Sequence, residues 1–586
     1  MKKVFVFVVL LLSSVVVIKT TSNDYQDKIF YSEGVQRTFV ASAENQDTES
    51  IVTEPIVAVL HLRSDFVSKY DRDDLEEDSD VDTFLKQVRA EGKEYYSKRN
   101  KELTKNLLNE DYGTIEVSDY APFASITFSN KSSEEIKDIV NQIAKSKSII
   151  EIGVVNYAEA KPQMADNFER LGFDDYSTYS GYGSYDGTGI TIGILEMPEE
   201  GGGGIVNANH NNFNGTDLLI QNPANTTSTH ATLVASIAGG NNGIAGGSKL
   251  LSSELSGLPY NEIEWMLDEG VNVVNLSYGA NYSGNYYFLY DSYFDYITRT
   301  YFTTFVAAAG NYWHSHLLKV TSPGTAYNVI TVGSSSDPIT PLGNPGVYYH
   351  SCWRESFDTH KPNLIAPGEN IDVDVYGYEV SGTSFAAPHV TGIIALMMDR
   401  RALLKSHPEL VNAIVTANAS LDILPSTATN YEYGGCTSAG CIGYEDRFGA
   451  GEVRVDDSID NIYRNRYFEI DDNSDYRDSV KTIGVTLNAG DELTVSLFWL
   501  RNVSLNLISQ RVLEPLLDLD LRLYDYNGNI VYESYSRDYN NEIFTYNVTQ
   551  SGSYSIVVYQ YGVFDEGGLL DPSDMEVYGA VSYSIE

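Results

Sequence analysis

Apolar and polar residues follow different rhythms in successive parts of this chain. Residues 1–22 open with Met1-Lys2-Lys3, continue through a mostly apolar run from Val4 to Ile18, and end on Thr20-Thr21-Ser22. A basic start, an apolar stretch too short to span a bilayer comfortably and small residues at the exit predict a signal peptide. Residues 23–52 are polar without periodicity and read as a flexible lead-in. Ile56–Leu62 then reads as a strand, and residues 83–108 as a charged helix with Asp82 as its cap. Thr114–Phe128 reads as two strands joined near Tyr120-Ala121-Pro122. Ser132 with Glu135 makes a capping box, and Ile136, Ile139, Val140 and Ile143 share one face of the helix that follows. Ile149–Val155 closes the series as a strand, so residues 53–160 have the order βαββαβ of a ferredoxin-like α+β domain.

The pattern changes again beyond residue 165. Up to residue 463, near-continuous apolar strands such as Ile190–Leu195 and Val273–Leu276 alternate with helical runs. Strands of that kind belong to a parallel sheet covered on both faces, the α/β class. Residues 475–586 instead alternate apolar and polar positions over short runs, punctuated by turns such as Tyr526-Asn527-Gly528-Asn529. An antiparallel β-sandwich is expected there.

Charge narrows the range of partners. The 586 residues carry 81 acidic against 39 basic side chains, a formal charge of -42, which would repel nucleic acid. Such a surface favours solubility and attracts cations, calcium included. Asp518 and Asp520 lie on one face of a predicted strand and are candidates for calcium, beside the plainer reading of a solvated acidic face. The three cysteines are too few and too scattered for a zinc site, although Cys436 and Cys441 flank a loop that a disulfide could close, leaving Cys352 over. With no second long apolar run, the mature chain is expected to be exported, without a stable membrane span.

Chemistry concentrates in four segments. In Val380-Ser381-Gly382-Thr383-Ser384-Phe385-Ala386-Ala387-Pro388-His389, a turn presents the Ser384 hydroxyl at the start of an apolar helix. The unpaired N–H groups there would stabilise an oxyanion. Upstream stand Thr229-His230-Ala231-Thr232, then Phe305-Val306-Ala307-Ala308-Ala309-Gly310-Asn311, and before both Gly189-Ile190-Thr191-Ile192-Gly193-Ile194-Leu195-Glu196. Together these resemble the nucleophile, histidine, oxyanion and acid segments of subtilisin-like serine proteases, in the family's acid, His, Ser order. Val271 to Gly279, Ser322-Pro323-Gly324 and Leu364 to Gly368 resemble further family landmarks, so the resemblance covers residues 165–463.

The resemblance implies a subtilisin-like fold and a serine endopeptidase in which Ser384 attacks, His230 shuttles the proton, Glu196 orients His230 and Asn311 stabilises the oxyanion. Ser277, Tyr278, Gly279, Ala308 and Gly310 would line the substrate cleft, with tolerance of bulky apolar side chains. No cofactor would enter the chemistry, calcium being at most a structural ion, and the partners would be protein or peptide substrates. The N-terminal domain would be an inhibitory propeptide, cut near Tyr157–Pro162. Two departures stand out: Ala231 replaces the usual Gly, and Glu196 the usual Asp, which moves the carboxylate by about 1.5 Å. They favour the alternative of a degenerate surface or binding protein; a protease limited to its own processing is a third reading.

Overall fold

A computed structural model describes residues 29–31, 56–64, 66–72, 75, 80–105, 107–128, 130–156, 182–199, 202–279, 289–311, 319–337, 346–353, 361–372, 379–421, 447–470, 479–501, 505–506, 511–512, 516–535, 540–564 and 577–586. The expected signal peptide, the processing region near Tyr157–Pro162, and Cys436 with Cys441 lie outside the described residues.

The N-terminal domain is built from β1 (Ile29–Tyr31), β2 (Ile56–Leu62), α1 (Val81–Thr104), β3 (Gly113–Val117), β4 (Phe123–Phe128), α2 (Ser133–Ala144) and β5 (Ile149–Asn156). Its sheet has the order β1-β5-β2-β4-β3, which gives β2 to β5 the ferredoxin-like arrangement expected from βαββαβ. Two details depart from the sequence reading. Ile29–Tyr31, within the expected flexible lead-in, adds a parallel strand to β5. Helix α1 spans Val81–Thr104 rather than residues 83–108, and the Asp82 carboxylate accepts from Lys405 Nζ at 2.9 Å instead of capping it.

Strand β2 reads Ile-Val-Ala-Val-Leu-His-Leu because both faces of this sheet are covered. Ile56, Ala58, Leu60 and Leu62 pack with Ile136, Val140 and Ile143 inside the domain. Val57 and Val59, with Phe84, Leu85 and Phe123, instead join the core of the central domain.

The central domain holds β6 (Thr191–Glu196), β7 (Leu218–Ile220), α3 (Thr229–Gly239), β8 (Lys249–Glu254), α4 (Tyr260–Asp268), β9 (Val273–Leu276), α5 (Leu289–Tyr301), β10 (Thr304–Ala308), β11 (Ile330–Ser335), β12 (Leu364–Pro367), α6 (Thr383–Arg400) and α7 (Pro408–Ala417). Its seven strands are all parallel, in the order β12-β11-β10-β9-β6-β8-β7. The order reverses around β6, and ligand crevices open at the carboxyl ends of strands at such reversals. Glu196 is the last residue of β6, and Asn311 follows β10 closely.

The C-terminal part is the expected sandwich of two four-stranded antiparallel sheets. One contains residues 465–470, 577–585, 492–499 and 541–547, and the other residues 479–487, 552–564, 516–524 and 530–534. Leu493, Val495 and Leu497 face Leu519, Leu521, Leu523, Ile556 and Val558 across the core. Asp518 and Asp520 correct the reading of a solvated face, for both are buried. Burial beside Asp518 pushes the Asp520 carboxyl up to about 7, with Arg522 3.5 Å away. Among the described residues no cluster of three or more His, Cys, Asp and Glu is placed to hold a metal ion, and no helix is long and apolar enough to cross a membrane.

Candidate active site

Helices α3 and α6 pack on each other and bring their N-termini to one end of the sheet. Ser384 is the second residue of α6, just after Gly382 and Thr383, and is 6% exposed. Its backbone N–H is one of the first-turn donors that a helix leaves without an intrahelical partner. His230 is the second residue of α3, and its ring meets Phe385 edge-on at 5.0 Å between centroids, beside Ser384. Its Nδ1–H donates to Glu196 Oε2 at 2.9 Å. The longer acid therefore reaches the imidazole with ordinary geometry, since N–H to carboxylate bonds of this kind run near 2.7–2.9 Å. His230 Nε2 is buried without a hydrogen-bond partner, the arrangement of a nitrogen available to accept a proton. Glu196 Oε1 is likewise buried and unpartnered.

A second carboxylate holds the helix that carries the histidine. Glu199 Oε1 accepts from the Ser228 hydroxyl at 2.8 Å and from the His230 backbone N–H at 2.7 Å. Ser228 in turn caps α3 by accepting from the Ala231 N–H at 2.9 Å. Negative charge against the first turn of a helix is favourable, so Glu199 fixes the start of α3 and with it the backbone of His230. Ala231, fully buried, fits this helix without a glycine.

Asn311 stands opposite. Its Oδ1 accepts from the Thr383 N–H at 2.8 Å and the Thr383 hydroxyl at 3.1 Å. The same hydroxyl accepts from the Gly310 N–H at 3.1 Å. A backbone N–H can only donate, so the amide oxygen is fixed toward Thr383 and the NH₂ group faces the other way, free to donate.

The expected cleft residues divide into two groups. Ser277 is not a free substrate contact: its hydroxyl donates to the Ser384 carbonyl at 2.5 Å and accepts from Asn275 Nδ2 at 2.7 Å, with Thr391 behind Asn275. It anchors the residue expected to be the nucleophile. Tyr278 and Ala308 are buried against the core, while Gly279 and Gly310 flank Thr321. A Cβ at Gly279 would come 2.1 Å from Thr321 Oγ1, and one at Gly310 would come 2.8 Å from it. Gly310 also has φ +108°, where only glycine is unstrained. Thr321 thus fills the gap between the two glycine backbones. Thr321, Thr383 and Glu199 escaped the sequence reading, since each acts through partners remote in sequence.

Cys352 is a buried free thiol, pushed up to about 12 by desolvation, and its N–H donates to the Gly310 carbonyl at 3.0 Å.

The N-terminal domain docks on α4 and α5. Ser118 Oγ and the Asp119 N–H donate to the two oxygens of Glu264 at 2.5 and 2.9 Å, and Tyr120 Oη donates to Asp268 at 2.8 Å. Burial pushes Glu264 up to about 8. Helix α1 crosses so closely that a Cβ at Gly92 would fall 2.1 Å from the Tyr301 hydroxyl.

Comparison with known proteins agrees with this architecture. Residues 172–451 match the model of the Subtilase family, and residues 479–560 that of the Bacterial pre-peptidase C-terminal domain. Pyrolysin of Pyrococcus furiosus is 31% identical over 167 residues, covering 23% of this chain and 12% of pyrolysin. Alkaline serine exoprotease A of Vibrio alginolyticus is 28% identical over 322 residues, covering 50% of this chain and 54% of that protein. Among solved structures, fervidolysin from Fervidobacterium pennivorans, described as a keratinolytic enzyme related to subtilisin, aligns with 88% of this chain and 70% of its own, at 16% identity and a TM-score of 0.47. The chain spans only 12% and 20% of the length of the first curated relatives it matches. Residues 172–451 are thus similar to the Subtilase family, and residues 479–560 to the bacterial pre-peptidase C-terminal domain.

Proposed function

We propose that this protein is an exported serine endopeptidase made as a zymogen. The observation that carries the reading is the 2.9 Å bond from His230 Nδ1 to Glu196, on a ring that stands against Phe385 beside Ser384. Ser384 Oγ attacks the scissile carbonyl while His230 Nε2 takes its proton, and Glu196 holds the tautomer and stabilises the imidazolium. The new oxyanion is met by Asn311 Nδ2 and the Ser384 N–H. His230 returns the proton to the leaving amine, and a water, activated by the same nitrogen, releases the acyl group. No cofactor takes part in these steps.

The N-terminal domain acts in this reading as the enzyme's own inhibitor, held on α4 and α5 until the connection after β5 is cut. Export rests on the apolar leader from Val4 to Ile18. The deciding experiment is the intact mass of protein beginning at residue 23, beside its Ser384→Ala variant. Loss of roughly 15 kDa from the unmutated protein alone, the mass of a domain of this length, supports the zymogen reading. Full-length mass for both, with folded protein and no other protease required, overturns it and favours the binding-protein alternative.

Thr321 gives this enzyme a preference for small side chains on the acyl side of the cut. Thr321→Gly is expected to raise kcat/KM for substrates with Leu or Phe there by about 10- to 100-fold relative to Ala, the range for a few added methylenes in a pocket. Profiling both proteins on one peptide library checks it. An unchanged profile would place Thr321 outside the pocket.

A further inference from the structure

One charged side chain of the N-terminal domain is bound far more elaborately than docking requires. Arg72 is 6% exposed and reaches a slot between the central domain and the sandwich. Its Nη1 donates to Glu409 Oε1 and Oε2 at 3.0 and 3.2 Å and to the Ser406 carbonyl at 2.8 Å. The guanidinium lies 3.9 Å from the centre of the Tyr578 ring and 4.8 Å from that of Phe302. Glu409 stands in the first turn of α7 and is wholly buried, Phe302 follows α5, and Tyr578 belongs to the sandwich. The slot therefore has an anionic floor and two aromatic walls, one from each of two domains, and its occupant comes from a third.

We propose that this slot is an arginine-binding site, filled by Arg72 in the intact chain and open to the arginine side chain of another polypeptide once the N-terminal domain has left. The departure rests on the zymogen reading; the recognition does not. A carboxylate buried to this degree is costly without a counter-charge, so losing Arg72 leaves Glu409 in need of a cation. The two rings favour a guanidinium over a compact ammonium, because the former lies over both rings while its Nη1 donates to Glu409. A site so placed adds a contact for substrate outside the catalytic cleft.

The test uses the full chain carrying Ser384→Ala, so that self-cleavage plays no part. Adding Arg72→Ala is expected to lower Tm by several degrees and weaken amide-exchange protection in α1. Millimolar N-acetylarginine amide should restore both saturably, whereas the citrulline analogue, neutral and of similar shape, should not. Tyr578→Ala should abolish the rescue. Equal effects of the two amides, or a rescue indifferent to Tyr578, would overturn the proposal. Should Arg72→Ala fail to fold, Arg72→Lys and Tyr578→Leu, alone and together, give the same decision: non-additive Tm losses support the slot, additive ones refute it. Failure here counts against the slot alone, and failure of the mass comparison against the zymogen reading alone.

Discussion

Replacing Glu196 by Gln is expected to lower kcat for a peptide substrate by about 10⁴-fold, the cost of letting the imidazole adopt the wrong tautomer in a Ser-His-acid triad. The expectation follows from the single bond between Glu196 Oε2 and His230 Nδ1, which a carboxamide could also make with its NH₂ group as donor. Nδ1 would then accept, Nε2 would carry the proton, and the base would be lost. Glu196→Asp separates reach from charge. The shorter side chain withdraws the carboxylate by about one C–C bond, and a misplacement near 1 Å costs about 10²-fold. Asp is therefore expected to fall between Glu and Gln, although it is the acid that the family usually carries. Stopped assays on one substrate, with folding checked by Tm, give the order. An Asp variant as fast as the unmutated protein would mean that α3 shifts to follow the acid. A Gln or Ala variant of full activity would mean that another group orients His230.

On the proposed mechanism, the longer acid is accommodated by the way α3 is held. Ser228, Glu199 and the His230 N–H form a closed set of bonds at the start of that helix, independent of the His230 ring. A backbone fixed in this way sets the distance from β6, and the 2.9 Å bond shows that the distance suits the longer acid.

What could be read from the chain and what could not divide along sequence separation. The capping box at Ser132 and Glu135 was legible because both of its bonds are local, and the structure has both, at 3.3 and 2.8 Å. The parallel sheet was legible because β9 and β10 are mostly apolar and buried along their whole length. Asp82 was misread as a cap because its partner, Lys405, lies 323 residues away. Asp518 and Asp520 were misread as solvated because alternation along one strand says nothing about what covers its outer face. Ser277 was placed in the cleft by its neighbours, yet its hydroxyl turns to a carbonyl 107 residues on. Arg72 carried no signal, since its slot is assembled from two other domains.

Asn311→Leu is expected to lower kcat by about 10²–10³-fold with little change in KM, the range for removing one oxyanion donor, subtilisin's own asparagine being the reference case. The split between kcat and KM follows because the amide meets charge that exists only after attack has begun. Asn311→Asp should be slower than Leu. Its oxygen toward Thr383 would keep both donors, but the other oxygen would replace the NH₂ group and set a carboxylate against the developing oxyanion. Thr383 tests the orientation separately. Its hydroxyl and N–H together hold the Asn311 oxygen, and the hydroxyl also receives the Gly310 N–H. Thr383→Val removes the hydroxyl and keeps the backbone bond, so the amide can rock but not invert, and a loss of about 5-fold is expected, in line with one neutral hydrogen bond of about 1 kcal/mol. Thr383→Ser, which keeps all three bonds, should stay near the unmutated rate. If Asn311→Leu instead raised KM and left kcat alone, the amide would be binding substrate in its ground state, and the oxyanion would have to be met by backbone groups at the start of α6.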